Sequence, residues 1–189
     1  MDEKKILYCK DRLEWRAWLA HHFRNEEEIW FVFPSVSSGE AGVSYNDAVE
    51  EALCFGWIDG RAGTLDKTHG LRRFTPRRKG SAYSRPNIER LILLDSLGLI
   101  HPDVRPSVAD IINAPFVFPK DILDAIRADD KAWKNYCSFS EPYKRIRVAY
   151  IDAARRRDAE FKKRLGAFIK KTRENKLITG YGGIDKYYK

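Results

Sequence analysis

The chain has 189 residues, 43% hydrophobic and 33% charged, with a formal net charge of +8. That is long enough for a real core and excludes a disordered tail. No apolar run approaches the roughly 20 residues of a membrane helix. The three cysteines, Cys9, Cys54 and Cys137, form neither a CxxC nor a metal-ligand spacing, which excludes a disulfide scaffold and a zinc ribbon.

Charge is unevenly placed. Residues 1–60 carry 6 Lys+Arg against 12 Asp+Glu, residues 61–90 carry 9 against 2, and residues 141–189 carry 15 against 6. An acidic body with two basic zones suits nucleic acid, phosphate or an anionic surface, or a solvated helix face. The start, Met1-Asp-Glu-Lys-Lys5, lacks a signal-peptide h-region, so a cytoplasmic, reducing setting is expected.

In chain order, Asp11 with Glu14 three residues on reads as a capping-box variant opening a helix to about residue 24. Trp15, Trp18, Leu19, His22 and Phe23 fall on one face of it. Ile29-Trp-Phe-Val-Phe33 is apolar on both sides, predicts a strand covered on both faces, and stops at Pro34. After a Ser/Gly loop, Ser44 caps a second helix with Ala48, Val49, Ala52 and Leu53 inward and Gly56 at its C-cap. Residues 55–60 and 71–75 flank a Gly/Asp/Lys loop and predict a hairpin. A basic loop, 76–85, leads into a helix from Pro86 to Gly98. His101 to Pro119 is punctuated by prolines, with one short helical pattern at 108–112, and marks a boundary. Helical patterns follow at 121–127, 130–139, 143–153 and 158–174, the third opened by Ser140-Glu-Pro. The tail from Thr179 is expected to be mobile. The fold class expected is α+β: a small three-stranded antiparallel sheet with packed helices in residues 1–115, then a basic helical domain in 116–189.

The most informative chemistry lies in residues 45–87. Trp57 and Asp59 sit on the first hairpin strand; Arg77, Arg78 and Lys79 follow the second; Ser81, Tyr83, Ser84 and Asn87 lead into a helix start. Cations, hydroxyls and backbone N–H groups at a helix N-terminus make an anion-binding arrangement, with Trp57 and Tyr83 as a stacking wall. The competing reading is that Asp59 pairs with Arg72, Arg73, Arg77 or Arg78 and pins the loop. His21 and His22 are adjacent and point about 100° apart, so they cannot chelate one metal together. His69 and His101 lie in loops without a ligand pattern, and Cys54 reads as buried and inert. Glu50 and Glu51 do not face each other as an acid/base pair. No P-loop, GxGxxG, G-x-S-x-G or H-E-x-x-H occurs, so no catalytic residue, cofactor or metal is assigned.

Residues 48–60, Ala-Val-Glu-Glu-Ala-Leu-Cys-Phe-Gly-Trp-Ile-Asp-Gly, followed by Phe74-Thr-Pro-Arg-Arg-Lys-Gly-Ser81, resemble the YdeI/OmpD-associated, or bacteriocin-protection, family of bacterial proteins. Leu13-Glu-Trp-Arg-Ala-Trp-Leu19 and the stretch from Tyr143 to Arg155 fit the same pattern, so the resemblance runs over nearly the whole chain. Trp57, Ile58, Asp59, Phe74, Thr75, Pro76, Arg77, Arg78, Ser81, Ser84 and Asn87 match its motif positions, while Tyr83 stands where a Trp is usual. The resemblance implies a stress or envelope-defence accessory role against bacteriocins and cationic peptides, with no reaction attached. The expectation is a protein acting by binding an anionic ligand or protein partner. Two alternatives stay open: weak nucleic-acid binding through residues 61–90 and 141–175, and an enzyme using Asp59 with Arg77 and Arg78 on a small anionic substrate.

Overall fold

A computed structural model describes residues 5–179 and 184–188. Its class is α+β, with eight α-helices and a four-stranded mixed sheet among the described residues. The chain divides into two compact units, residues 1–83 with 90–112, and residues 84–89 with 113–189. No described helix is long and apolar enough to cross a membrane.

In the first unit, β1 (Ile6–Leu7) precedes α1 (Arg12–His22), β2 (Ile29–Pro34), α2 (Tyr45–Cys54), β3 (Trp57–Thr64) and β4 (His69–Pro76). The sheet order is β1-β2-β4-β3. The hairpin β3–β4 is antiparallel, as expected, and β4 also pairs antiparallel with β2. The sheet nevertheless corrects the three-stranded antiparallel expectation. β1 adds a fourth strand, parallel to β2 through Ile6 opposite Trp30 and Leu7 opposite Phe31. Two residues are too few to leave an alternating pattern in the sequence.

The caps follow the expected chemistry. Asp11 accepts from the Glu14 N–H at 3.0 Å and Ser44 from the Asp47 N–H at 3.1 Å. Gly56 has φ +72°, a backbone shape that costs glycine little and other residues more. It turns the chain from α2 into β3.

Directly opposed residues share a face of the sheet. Ile29 opposes Phe74 and Phe31 opposes Arg72 on the side where the Trp15 ring of α1 meets Phe31 at 4.7 Å and Phe74 at 5.5 Å. Trp30 opposes Arg73 and Val32 opposes Leu71 on the other side, where Trp30, Val32 and Leu71 form their own buried cluster. Both faces of β2 are therefore covered. A Cβ on Gly63 would stand 3.1 Å from the Trp30 ring, so that position admits no larger residue without movement. β3 slips register between Asp59 and Ala62, a bulge in mid-strand.

At the hairpin tip, His69 is clasped by two carboxylates, Nδ1 at 2.9 Å from Asp66 and Nε2 at 3.2 Å from Glu40. The hydrogen bond to Asp66 raises the His69 pKa above 6.5. Asp66 is pushed down to about 2, chiefly by the Thr68 N–H and then by His69. The raised histidine contributes stability in full below 6.5 and loses it as pH climbs through the folded pKa. The depressed carboxyl contributes fully above 3.8 and loses it as pH falls toward about 2. The clasp should therefore be tightest between these limits. Amide exchange at Asp66–His69 should speed up, beyond the intrinsic base dependence, as pH rises above that window. An NMR titration placing the His69 pKa below its ordinary value would sink this expectation.

α3 (Arg85–Ser96) opens in the second unit and continues in the first, and α4 (Arg105–Asn113) extends the short helical pattern expected at 108–112. The second unit is otherwise α5 (Lys120–Arg127), α6 (Asp130–Ser138), α7 (Glu141–Asp152) and α8 (Asp158–Arg173). Ile122, Ile126, Tyr143, Ile146, Ile151 and Phe168 form its core. On α8, Phe168 is buried while Lys162, Lys163, Lys170, Lys171 and Arg173 are exposed, the arrangement an amphipathic helix dictates.

The tail departs from the mobile expectation. Ile184–Tyr188 form a 3-10 turn, with Tyr187 and Tyr188 buried and the Tyr188 ring 4.7 Å from that of Tyr143. Aromatic burial orders a segment whose composition alone reads as loose. Residues 1–4, 180–183 and 189, including the polar start and the rest of that tail, lie outside the described residues.

Candidate functional site

The hairpin residues divide among several surroundings. Trp57 is fully buried and its indole N–H donates to the Phe23 carbonyl at 3.0 Å. It is a core side chain and offers no face for stacking, which corrects its place in a ligand wall. Its burial follows from the strand: Trp57 lies opposite Pro76, two residues along from the buried Phe74.

Asp59 forms no ion pair among the described residues, contrary to the expected pairing with an arginine. Its partner is the Tyr45 hydroxyl at 2.7 Å, and Arg72 lies over the Tyr45 ring at 5.1 Å. Burial, then the Asp59 hydrogen bond, push Tyr45 up to about 12, so the phenol remains a proton donor. The charge pair read from the sequence is thus replaced by a stack of arginine, tyrosine and aspartate.

Arg77 pins the basic loop through that loop's own atoms. Its Nη2 donates to the carbonyls of Ser81 at 3.1 Å and Ala82 at 3.0 Å, and to Ser81 Oγ at 3.1 Å. Its guanidinium lies 3.6 Å from the centre of the Tyr83 ring. The Ser81 hydroxyl is also engaged, donating to the Arg78 carbonyl at 2.8 Å. Arg77, Ser81 and Tyr83 therefore come together as a closed turn. Lys79 is exposed on it. Ser84 and Asn87 belong to the second unit, where the Ser84 carbonyl accepts the Ile88 N–H at 3.0 Å at the start of α3.

Arg78 turns elsewhere. It lines an open cleft of about 490 Å³ together with Arg24, Arg73, Glu26 and Glu27. Arg24 is bound to Asp103, Arg73 to Glu28, and Glu26 to Lys5 at 2.6 Å. The three guanidinium groups come from the loop after α1, from β4 and from the loop after β4, and Arg78 is the one outside an ion pair among the described residues.

A second constellation escaped the sequence reading. Glu50 and Glu51 are both 2% exposed, at the α1–α2 contact. Arg12 reaches Glu51 at 2.5 Å, Asp47 at 2.9 Å and Glu50 at 3.1 Å, while Arg16 reaches the other Glu51 oxygen at 2.6 Å. Asn46 bridges Glu50 and Arg90, at 3.0 and 2.6 Å. Burial works against the Arg12 charge, but the Glu51 hydrogen bond and the surrounding carboxylates hold its pKa above the usual value. Burial and the Glu51 charge push the Cys54 thiol up to about 12, which leaves it inert, as expected. The signal was present: arginines four apart on one helix and acids three and four apart on the next. It becomes readable only once the helices are known to face each other. The second unit has a smaller counterpart, where Glu89 is held by Arg85 at 2.5 Å and by Arg145 at 2.7 Å.

The first unit is α+β with an arginine-lined cleft, and the second is helical with a basic last helix. Residues 7–106, more than half of the chain, match the model of a domain of unknown function (DUF8412), and the chain belongs to that family. Residues 115–175 match the model of the family described as bacteriocin-protection, YdeI or OmpD-associated. The motifs at 48–60 and 74–81 fall within the first of these matches. No curated protein and no solved structure matches the chain.

Proposed function

We propose that the chain is a cytoplasmic accessory protein of the bacteriocin-protection kind that works by binding an anionic ligand in the cleft beside Arg78. The family match over residues 115–175 supports the accessory role. The observation that carries the binding reading is the convergence of Arg24, Arg73 and Arg78 on one open cleft. Two of the three are neutralised by Asp103 and Glu28, so Arg78 is the group an incoming anion meets first. Three unpaired cysteines fit a reducing compartment.

Titration calorimetry with pyrophosphate at low salt tests this. Arg78→Gln should weaken binding about tenfold, the worth of one charge-assisted hydrogen bond. Lys79→Gln, on the same loop but outside the cleft, should change it little. Equal affinity in Arg78→Gln and wild type would sink the reading. So would binding of duplex DNA with a steep salt slope that pyrophosphate does not compete, since the relevant surface would then be a phosphate-backbone track elsewhere.

A further inference from the structure

The second unit carries a hollow of about 230 Å³ where α5, α6 and the first turn of α7 meet. Its lining is mainly apolar: Phe118, Leu123, Trp133 and Tyr136. The Trp133 and Tyr136 rings are stacked, 5.5 Å apart and 21° from parallel. Lys144 brings an ammonium to this surface although the residue is only 9% exposed. Its Nζ lies 5.4 Å from the centre of the Tyr136 ring and donates to Glu141 Oε1 at 2.9 Å and to the Cys137 carbonyl at 3.3 Å. An ammonium has three donors, so one hydrogen is left over.

The start of α7 adds to this positive charge. Ser140 does not cap α7 with its side chain but donates to the Tyr188 carbonyl at 2.9 Å, so the positive end of the helix dipole adds to the Lys144 charge. The one carboxylate lining the hollow is Glu141, whose side chain is 58% exposed and stands 3.8 Å from Arg145 as a second partner. It can leave Lys144 without losing all compensation.

We propose that this hollow binds a small aromatic carboxylate, its ring against Trp133 and Tyr136 and its carboxylate on Lys144 in the place of Glu141. The volume falls below the few hundred Å³ of a drug-sized pocket, which limits the guest to about one ring with a short head. The site shares no residue with the Arg78 cleft and stands or falls apart from it.

Cys137 supplies the assay. It lines the hollow as an exposed free thiol, whereas Cys9 and Cys54 are buried. On the full chain, benzoate in the millimolar range should slow iodoacetamide alkylation of Cys137 saturably, and benzyl alcohol should not. Glu141→Gln removes the competing charge and should tighten benzoate protection roughly threefold, with no change toward benzyl alcohol. Lys144→Met should lose benzoate protection by about tenfold or more if it folds. Three results would each overturn the proposal: no saturable protection by benzoate, equal protection by benzyl alcohol, or weaker or unchanged benzoate protection in Glu141→Gln. The glutamine variant carries the test even where Lys144→Met fails to fold.

Discussion

Trp57→Ala should destabilise the protein by about 3–5 kcal/mol, the usual cost of emptying a fully buried indole site. Trp57 has no exposed surface and its ring meets that of Trp18 edge-on at 5.8 Å. The alanine variant loses this packing and also strands the Phe23 carbonyl that accepts the indole N–H. Trp57→Phe separates the two contributions. It keeps most of the packing and loses the donor, and should cost about 1–3 kcal/mol. Denaturant unfolding measures both. A loss below about 1 kcal/mol in Trp57→Ala would mean that the indole is not a core element, and would restore Trp57 as an available stacking surface.

Glu51→Ala should lower stability by about 2–4 kcal/mol. Removing one member of a buried ion cluster leaves the others charged and unpaired, which typically costs 3–5 kcal/mol. Here Arg12 and Arg16 are about one-third exposed, at 34% and 31%, so water recovers part of the loss. Glu14→Ala is the contrast. Glu14 pairs with Lys10 at the surface, where water screens the pair, and its removal should shift the urea midpoint much less. Glu51→Ala should also bring the Cys54 thiol down from about 12, because the carboxylate that opposes thiolate formation is gone and Arg16 remains. Equal midpoints for Glu51→Ala and Glu14→Ala in urea would show that the α1–α2 cluster is not a folding element.

The legible parts of the fold were those with a strong local signature. Asp11 and Ser44 announce caps, and Ile29–Phe33 is apolar on both faces because each face meets its own cluster. The hairpin shows in its turn residues, although its strands run on to Thr64 and begin again at His69, further into the expected loop. What escaped depends on tertiary pairing. Ile6 and Leu7 become a strand only by lying beside Trp30 and Phe31. The tail residues Tyr187 and Tyr188 are ordered by a core assembled much earlier in the chain. Ser140 looked like a cap but spends its hydroxyl on Tyr188.

The candidate site was legible as a list of residue types and not as a geometry. The motif placed Trp57, Asp59 and the arginines within reach of each other along the chain, but strand alternation sends Trp57 into the core. Asp59 found a tyrosine from α2 instead of a cation. Arg77 folds back on its own loop, leaving Arg78 to join Arg73 of the strand before it and Arg24, which lies much earlier in the chain. Sequence spacing identifies which groups are present; only the fold decides which of them are already engaged.

The bulge between Asp59 and Ala62 bears on the protein's behaviour at high concentration. β3 is the outer strand on its side of the sheet, and an unbroken outer strand invites a neighbouring chain to add to it. Here the register breaks in the middle, and Arg61, an exposed cation, sits inside the break. The remaining runs, 57–59 and 62–64, are too short to template the stacked pairing that aggregation requires, for which segments of roughly six residues are typical. The irregularity that complicates the hairpin thus keeps its free margin from acting as a seed for self-association.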